Sequence, residues 1–320
     1  MKYFSRGLKI LVIFTVLITF VGLLFFGHQD IPLNQLKVKY AGTTSSFISV
    51  NGMDVHFRAE GNQADTVPIV LIHGTGSSLQ TFDAWSRSLK KSKRVIRMDL
   101  PAYGLTGPFP DRSYSMTNYT AFLKNFLIAL GVKQCVLVGN SLGGEIAWNF
   151  ALEQSDMVKK LILIDAAGYP KNSKSVPIAF KLGQTPVLNK LLTFITPRFM
   201  VRASLENVYF DKSKVADSLV ERYFELTLRA GNRQAFVDRF KMSGNELAYK
   251  NIKNIQQPTL ILWGAEDNLI PSENAKKFHE DLPNDTLVIL ENTGHTPMEE
   301  SPVESLKPVL DFLKRKATTE

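Results

Sequence analysis

Apolar residues follow three patterns along the chain, and each predicts a different kind of element. Residues 10–27 are uncharged and dominated by Leu, Ile, Val and Phe, a run long enough for one membrane-spanning helix. Further along, short continuous apolar runs alternate with stretches of helical periodicity such as 79–89 and 116–130. This alternation predicts an α/β fold with a mostly parallel sheet and helices on both faces.

Eight strands are predicted, and the first two form a hairpin. Segments 47–50 and 53–58 alternate apolar and polar residues on either side of Asn51-Gly52, a pair that favours a tight two-residue turn. Continuous apolar runs are typical of strands that are buried on both faces of a sheet. Such runs predict the other six strands, at 67–72, 94–98, 135–140, 160–164, 259–263 and 286–290.

Residues 169–250 interrupt this order. The segment has no convincing strand pattern, contains helical runs such as 187–195 and 219–229, and carries many aromatic residues. We interpret it as a helical cap over a site at the carboxyl ends of the strands. The sequence thus predicts a core made of residues 46–168 and 251–320, with the cap inserted between its two parts.

Three cations, Lys2, Arg6 and Lys9, precede the first apolar run, and residues 28–45 after it are polar and aperiodic. A cleaved signal peptide is the main alternative to an anchor, but no small-x-small cleavage site follows the run. We therefore expect an uncleaved membrane anchor over residues 1–27 and a tether over 28–45. The upstream cations place the N-terminus in the cytoplasm and the rest of the chain in the periplasm or at the cell surface.

The net charge is +8, and nearly all of the excess lies in the cap, whose own net charge is +7. A basic, apolar cap on an anchored protein fits contact with anionic lipid, while a solvated helix face explains the same charge equally well. No segment resembles a nucleic-acid-binding module. Cys135 is the one cysteine, so the chain forms no intramolecular disulfide or cysteine metal cluster, and no cofactor or metal is expected.

The most informative motif is Gly139-Asn140-Ser141-Leu142-Gly143, which lies between a predicted strand and a predicted helix. A serine at the tip of such a turn needs a strained backbone, and glycines on both sides let strand and helix approach without a Cβ clash. The helix that follows directs its N-terminal N–H groups at the turn. This context favours a nucleophile over a plain glycine-rich turn, and Ser141 is the candidate.

The predicted strand at 67–72 ends in His73-Gly74-Thr75-Gly76. An acyl-transfer enzyme needs two backbone N–H donors for the oxyanion, and a glycine-bearing loop at a strand end can supply one of them. Thr75 is the candidate in this loop, and Leu142, directly after the nucleophile, is the candidate for the second donor. We expect His73 to hydrogen-bond within the loop rather than to take part in catalysis.

With these motifs in order, residues 46–316 resemble an α/β-hydrolase fold enzyme, a serine hydrolase of the esterase or lipase type with a helical cap. The later motifs that carry the resemblance are Trp263-Gly264-x-x-Asp267, Gly294-His295 and Glu300-x-Pro302. The family's chain order of nucleophile, acid and histidine is met by Ser141, Asp267 and His295. One departure is Ala102, which stands in a turn where the family usually has glycine.

The residues themselves support the same triad. His295 alone among the five histidines follows a strand end after the candidate acid, so it is the candidate general base. Asp267 would orient His295 and stabilise its imidazolium form. Asp165, which ends the preceding strand, is the rival acid. We expect Asp99 to fix its own loop by hydrogen bonds and Glu266 to point elsewhere.

A serine nucleophile with an oxyanion hole predicts acyl transfer to water, and the anchor and apolar cap favour a small lipophilic ester as the substrate. We therefore expect an esterase or lipase that acts through a Ser-His-Asp triad and an acyl-enzyme. A carbon–carbon bond hydrolase of the meta-cleavage-product type is the alternative, because Gly139-Asn140-Ser141 also resembles that family, although Thr296 stands where it usually has Trp. A catalytically inactive, membrane-tethered binding protein is the alternative of another class.

Overall fold

The computed structural model describes residues 2–170, 172–242 and 247–315. Its centre is one eight-stranded sheet with the strand order β1-β2-β4-β3-β5-β6-β7-β8. The strands are β1 (Ser45–Val50), β2 (Met53–Gly61), β3 (Ile69–Ile72), β4 (Arg94–Met98), β5 (Cys135–Asn140), β6 (Val158–Ile164), β7 (Thr259–Gly264) and β8 (Asp285–Leu290). β2 pairs antiparallel with β1 and β4, and all other neighbours pair parallel. The prediction of an eight-stranded, mostly parallel sheet is confirmed.

Helices cover both faces of this sheet. Those of the core are α3 (Asp83–Leu89), α4 (Met116–Ala129), α5 (Leu142–Glu153), α11 (Glu273–Asp281), α12 (Pro297–Glu300) and α13 (Pro302–Lys314). One apolar cluster packs α4, α5 and α11 on the sheet through the buried Phe122, Trp148 and Phe278. A second cluster packs α3 and α13 through Trp85 and Phe312. Successive residues of β3 belong to the two clusters in alternation, so the clusters lie on opposite faces.

The chain between β6 and β7 forms the helical cap. Its helices are α6 (Ile178–Gln184), α7 (Leu188–Leu191), α8 (Arg198–Val208), α9 (Asp217–Thr227) and α10 (Asn232–Lys241), with no strand among its described residues. Short 3₁₀ helices occur in the cap at Lys212–Lys214, at the boundary from cap to core at Ala248–Asn254, and in the core at Leu79–Phe82 and Ser155–Met157. The helical runs expected at 187–195 and 219–229 correspond to α7 and α9.

The N-terminal apolar run is part of one helix, α1 (Lys2–Phe26). The side chains at 2–6, 12, 15, 16, 18–20 and 23 lie outside the described residues, among them the cations Lys2 and Arg6 used to predict the orientation. In the described part of the chain, no helix combines the length and hydropathy needed to cross a membrane. The predicted transmembrane helix is therefore not confirmed.

Residues 28–45, for which we expected an aperiodic tether, instead contain α2 (Leu33–Tyr40) and pack against the rest of the protein. Leu36 of this helix is buried in a small apolar cluster that has members in both core and cap. Asp30 forms a 2.7 Å ion pair with the buried Arg233 of α10. The sequence pattern of the segment does not reveal this docking. Its few apolar and acidic contact residues have partners in distant parts of the chain.

Candidate active site

The candidate nucleophile lies at the tip of a sharp turn between β5 and α5. Ser141 has a φ of 54° and a ψ of −117°, a region that residues other than glycine rarely occupy. The chain at the end of β6 fixes this backbone, because Ser141 N donates to Ile164 O at 3.0 Å and Ala167 N donates to Ser141 O at 3.1 Å. The strain expected from the sequence is present, and it holds the serine where strand and helix meet.

Two glycines of the motif are required by close backbone packing. A Cβ on Gly139 would lie 2.1 Å from the carbonyl oxygen of Gly143, and a Cβ on Gly143 would lie 2.4 Å from the carbonyl oxygen of Ile72. A Cβ on Gly144 would likewise be too close to the Cβ of Ala166, at 2.5 Å. Any larger residue would push apart the strand, the helix and the neighbouring strand β3.

The loop after β3 lies directly against the nucleophile. A Cβ on Gly74 would be 3.0 Å from the Cβ of Ser141. His73 holds this loop, because its Nδ1–H donates to Gly74 O at 2.8 Å while Leu100 N donates to its Nε2 at 3.0 Å. An imidazole that accepts at Nε2 is neutral, and burial lowers the pKa of His73 in agreement with this assignment. His73 thus has the loop-holding role that we expected.

The two oxyanion-hole candidates, Thr75 and Leu142, directly follow Gly74 and Ser141, the two residues in contact. Thr75 follows Gly74 in the loop and lines the cavity described below. Leu142 is the first residue of α5, so its N–H is one of those that a helix leaves without an intrahelical acceptor. The positive end of the helix macrodipole lies at the same place and favours a developing negative charge.

Two acidic residues that could be mistaken for the triad acid are used by loops. Asp99 Oδ1 accepts from Leu79 N at 2.8 Å, and its Oδ2 accepts from Leu105 N at 2.7 Å. Glu266 Oε2 accepts from Thr293 N at 2.9 Å. Both carboxylates therefore fix the backbone around them, which we expected for Asp99, while for Glu266 we expected only that it points away from the triad.

The structure brings Asp267 and His295 together. The Nδ1–H of His295 donates to Asp267 Oδ2 over 2.6 Å, and both side chains are buried. Asp267 Oδ1 accepts from the backbone N–H groups of Leu269 and Ile270, at 2.8 and 2.9 Å. These three donors fix the carboxylate, and the hydrogen bond at Nδ1 leaves Nε2 as the imidazole nitrogen that can accept a proton.

The backbone of His295 is fixed from the core and from the cap. Asn140, which precedes the nucleophile, donates from Nδ2 to His295 O at 3.0 Å, so it joins the nucleophile turn to the histidine loop. His295 N donates to Val208 O, at the end of α8, over 2.8 Å. Glu300 Oε2 accepts from Gly294 N at 2.8 Å. Sequence reasoning missed these supports, because two of the three partners, Asn140 and Val208, lie far from His295 along the chain.

Asp165, the rival acid, does not take the place of Asp267 against the imidazole. It directly follows β6, is fully buried, and accepts from Gly264 N at Oδ1 over 2.9 Å. Burial raises the pKa of Asp165 well above its ordinary value, and the charge of Asp267 raises it further.

Among the described residues, three side chains have oxygen or nitrogen atoms close enough together to bind one metal ion. Asp165, Asp267 and His295 each offer one such atom, all within 4.8 Å of one another. The 2.6 Å between His295 Nδ1 and Asp267 Oδ2 is a hydrogen-bond length. Two ligands of one tetrahedral ion at bonds of ~2.0 Å would lie roughly 3.3 Å apart. We therefore interpret these three side chains as a hydrogen-bonded group and not as a metal site.

A cavity of about 140 Å³ extends from the loop after β3 into the cap. Thr75 and Tyr103 line it on the core side, while Phe180, Leu205 and Phe236 are among the apolar side chains that line it in the cap. Gly74, directly before Thr75 in the same loop, lies against Ser141, but Ser141 and His295 themselves do not line the cavity. The cavity can hold an apolar group against the loop that contacts the candidate nucleophile.

A polar cluster joins the cap to the core at the edge of this cavity. The hydroxyl group of Tyr223, in α9, is 3.0 Å from Ser77 Oγ and donates to Glu299 Oε2 at 2.9 Å. Arg222 pairs with the other oxygen of Glu299. Glu299 lies four residues after His295, so the cluster places the cap directly over the histidine loop.

One protein-family model, described as alpha/beta hydrolase fold, matches residues 67–302. This range begins just before β3 and ends at the first residue of α13. It therefore contains the turn of Ser141, the loop after β3, Asp267 and His295.

Three known proteins illustrate what the chain is similar to. The uncharacterized hydrolase YugF of Bacillus subtilis is 29% identical over 269 residues, which cover 83% of this chain and 96% of the relative. The 2-hydroxy-6-oxo-2,4-heptadienoate hydrolase of Pseudomonas putida is 27% identical over 255 residues, which cover 77% of this chain and 88% of the relative. The crystal structure of a membrane phospholipase A, a bacterial virulence factor, is 26% identical, covers 98% of both chains and has a TM-score of 0.72.

Proposed function

The chain belongs to the alpha/beta hydrolase fold family, and from its site we propose that it is a serine hydrolase of carboxylic esters with lipophilic acyl groups. The observation that carries this proposal is the buried Asp267–His295 pair, which Asn140 ties to the turn of Ser141. The loop that contacts this turn through Gly74 continues into the lining of an apolar cavity. A positioned base, its orienting acid and a serine at a strained turn are the parts of nucleophilic acyl transfer.

In the proposed reaction, Ser141 Oγ attacks the ester carbonyl carbon while His295 Nε2 accepts the hydroxyl proton. Asp267 holds the imidazole through Nδ1 and stabilises its protonated form. The tetrahedral intermediate collapses when His295 returns the proton to the leaving alkoxide, which leaves an acyl group on Ser141. A water molecule, deprotonated by the same imidazole, then attacks the acyl carbon of this acyl-enzyme. The bond to Ser141 Oγ breaks, His295 returns the proton to Oγ, and the acid is released.

The oxyanion formed in both steps lies between two backbone donors in this proposal. Thr75 N–H supplies one hydrogen bond and Leu142 N–H, at the start of α5, supplies the other. Removal of one such donor typically costs about 10²- to 10³-fold in kcat. Because both donors are backbone groups, the shape of the two loops sets this stabilisation and side-chain chemistry does not.

The cavity supports a lipophilic acyl group as the bound part of the substrate. Its lining is mainly apolar, with Phe180, Leu205 and Phe236 on the cap side. Burial of apolar surface contributes about 25 cal/mol for each Å² removed from water, so an alkyl chain gains affinity along the whole cavity. The membrane phospholipase A among the similar structures is a further reason to prefer acyl esters of lipids.

We also propose that the protein acts at a membrane, with α1 as the anchor, the N-terminus in the cytoplasm and the catalytic domain in the periplasm or at the cell surface. Many described side chains of α1 are apolar and exposed: Leu8, Ile10, Leu11, Ile13, Phe14, Leu17, Val21, Leu24 and Phe25. Exposed apolar side chains on one helix fit a lipid environment better than water.

The basic cap is the proposed second contact with lipid. Thr196 N donates to Phe26 O at 3.1 Å, so the end of α1 is bonded to the chain between α7 and α8. Phe194 and Phe199 in the same part of the cap are 61% and 64% exposed. Exposed apolar rings beside the end of the proposed anchor suit a surface that rests on lipid, and the net positive charge of the cap suits anionic headgroups.

Labelling with a fluorophosphonate probe tests the serine-hydrolase proposal. The probe should label the wild-type chain and Ser155→Ala, whose serine is exposed on the surface, and should not label Ser141→Ala. Retained labelling of Ser141→Ala would contradict the assignment of the nucleophile. Absence of label from the wild-type chain, at pH values from 6 to 9, would favour an inactive binding protein.

Hydrolysis of lipid esters in vesicles tests the membrane contact of the cap. The exposed Lys181 and Lys190 lie in the cap near α7. Their joint replacement by Gln should lower activity on esters in anionic vesicles and leave activity on a soluble short-chain ester unchanged. A matched double variant at the exposed Lys133 and Lys253 of the core should behave as wild type in both assays. Equal activity of all three proteins on anionic vesicles would refute the cap contact.

A carbon–carbon bond hydrolase is the second candidate, because the relative from Pseudomonas putida is a 2-hydroxy-6-oxo-2,4-heptadienoate hydrolase. The two reactions occur on the same fold, and in this chain both proposals use the same triad. Comparison of kcat/KM on acyl esters of increasing chain length and on 2-hydroxy-6-oxodienoates separates them. A higher value on the dienoates would replace the ester proposal.

A further inference from the structure

A second buried carboxyl group lies beside the acid of the proposed triad, and the reaction described above gives it no role. Asp165 is fully buried, and its Oδ1 accepts from Gly264 N at 2.9 Å. Its Oδ2 is buried and has no hydrogen-bond partner within normal distance among the described residues. A charged carboxylate in such a place would be costly, whereas a protonated one needs only an acceptor.

The acceptor lies close by. One oxygen of Asp165, one of Asp267 and one nitrogen of His295 are all within 4.8 Å of one another. Two carboxylates at this separation repel each other strongly in a buried site, so a shared proton is favoured. Glu300 is the other acidic group that acts on Asp165, and its charge also favours the protonated form.

The hydrogen-bond donors decide which carboxyl group keeps the proton. Asp267 receives three donors, from Leu269 N, Ile270 N and His295 Nδ1. Asp165 receives one, from Gly264 N. Donors stabilise the ionised form, so the charge settles on Asp267 and the proton on Asp165. The raised pKa of Asp165, caused first by burial and then by the charge of Asp267, agrees with this assignment.

We propose that Asp165 stays protonated in the folded protein and directs its proton at the Asp267 carboxylate, as a positioning residue for the acid–histidine pair. The proton restrains Asp267 from the side of β6, while two backbone N–H groups restrain it from the loop after β7. Ser141 N is bonded to Ile164 O, the residue before Asp165. The same strand end therefore positions both the nucleophile and the acid.

The protonation state has a consequence for stability that does not depend on catalysis. The pKa of Asp165 is higher in the folded chain than the value of ~3.9 usual for an unfolded one. Stability from the bound proton is therefore fully present below pH ~4 and is lost as the pH rises toward the folded value. Over that range the folding equilibrium of wild type should weaken by up to about tenfold per pH unit relative to Asp165→Asn.

Equilibrium unfolding of the full chain in detergent, between pH 5 and 8, measures this difference. Asp165→Asn should gain stability relative to wild type as the pH rises, whereas Asp54→Asn, at an exposed position, should run parallel to wild type. An Asp165→Asn curve parallel to wild type would overturn the proposal. Infrared spectroscopy gives an independent check, because the carboxylic-acid C=O band should be missing from Asp165→Asn and present in Asp54→Asn.

The positioning role rests on the proposed hydrolase function and is tested on ester hydrolysis. Asp165→Ala should lower kcat at least about tenfold with little change in KM, since a hydrogen bond to a charged group is lost. Asp165→Asn, whose amide can donate to Asp267, should restore most of this loss. The acid limb of its pH profile should stay within about 0.3 pH units of wild type, because a neutral group replaces a neutral group.

A different result in the same assay would refute the neutral state. If Asp165 were ionised, Asp165→Asn would remove a negative charge close to the imidazole and move the acid limb by a unit or more toward lower pH. Should Asp165→Ala fail to fold, the comparison of Asp165→Asn with wild type still decides the outcome. Absence of ester hydrolysis would count against the proposed function, while the unfolding and infrared measurements would still test the protonation of Asp165.

Discussion

Asn140 donates a hydrogen bond from its side-chain Nδ2 to the backbone carbonyl oxygen of His295 over 3.0 Å. The same nitrogen is 3.2 Å from Ile164 O, so one buried amide group contacts the histidine loop and the end of β6. The residue directly before the proposed nucleophile thus holds the backbone of the proposed base. We therefore expect the position of the His295 imidazole relative to Ser141 to depend on the Asn140 amide.

Replacement of Asn140 by Ala should therefore impair catalysis more than folding. Loss of the amide removes this donor from the buried carbonyl oxygen of His295, at a cost of ~1–3 kcal/mol for an unsatisfied group, while Ile164 O still accepts from Ser141 N. We expect kcat/KM to fall by about 10- to 100-fold because the imidazole is less well placed. The rate of fluorophosphonate labelling should fall in parallel.

Asn125→Ala is the matched control for this variant, because Asn125 donates to Asn51 at an exposed site far from the triad. It should label at the wild-type rate. If Asn140→Ala also labelled at that rate, the amide would have no part in placing the base.

Removal of the proposed base should abolish most of the activity and leave the fold intact. By analogy with measured triads, His295→Ala or Ser141→Ala should cost on the order of 10⁴-fold or more in kcat. His279→Ala is a matched control, since His279 also pairs with an aspartate, Asp285, but lies exposed on α11. Its kcat should equal that of wild type, and circular dichroism should be the same for all four proteins. A smaller loss in His295→Ala than in His279→Ala would reject the triad.

Gly143→Ala should be destabilising, because its Cβ would lie 2.4 Å from the backbone carbonyl oxygen of Ile72. Backbone on both sides leaves no flexible group to move, so we expect a cost at or above ~3 kcal/mol. For a chain of 320 residues, an unfolding entropy of ~2.1 cal/mol/K per residue means that each kcal/mol lowers Tm by about 1.5 °C. Gly7→Ala, whose Cβ would have no atom within 4 Å, should leave Tm unchanged or slightly higher. A Tm for Gly143→Ala equal to that of wild type would show that β3 and α5 can separate without cost.

Glu60 should contribute stability that acid removes. Burial raises the pKa of Glu60, but hydrogen bonds from Lys90 and Arg97 outweigh burial and lower it to about 2. The folded pKa lies below the unfolded value, so this stability is present above pH ~4.5 and is lost as the pH falls toward 2. We expect Glu60→Gln to cost on the order of 2 kcal/mol at pH 7, with the gap from wild type closing in acid.

Thermal unfolding between pH 7 and 2.5 measures this gap. Glu291→Gln, at an exposed position, should stay close to wild type throughout. A gap between wild type and Glu60→Gln that is constant with pH would mean that the ion pairs of Glu60 do not supply the stability.

Local signals in the sequence were sufficient for the elements that position the site. Asn51 and Gly52 both have positive φ, 50° and 77°, which is the backbone that a two-residue hairpin turn demands. The strained backbone of Ser141 was expected from its motif, because the neighbouring glycines allow strand and helix to pack closely around the turn. Ala102, the departure from the family pattern, has a φ of 86°, so the turn keeps its left-handed backbone even without glycine.

Contacts between distant residues could not be predicted in this way. Docking of residues 28–45 depends on Leu36 and on Asp30, whose partner Arg233 lies more than 200 positions away. Asp165 and Asp267 both follow strands that are neighbours in the sheet, so the sequence places both near the histidine. Their difference arises from the number of N–H donors around each carboxyl group, which only the folded loops determine.

The hydrogen bond from His295 N to Val208 O constrains how a substrate can reach the site. Just beyond it, Asp211 N donates to the side-chain Oε1 of Glu300 at 2.7 Å, so the chain after α8 is hydrogen-bonded to the histidine loop and to α12. Displacement of the whole cap would break these hydrogen bonds and free the loop that carries the proposed base. The stretch around Val208 should therefore stay in place, and a substrate should enter past another part of the cap.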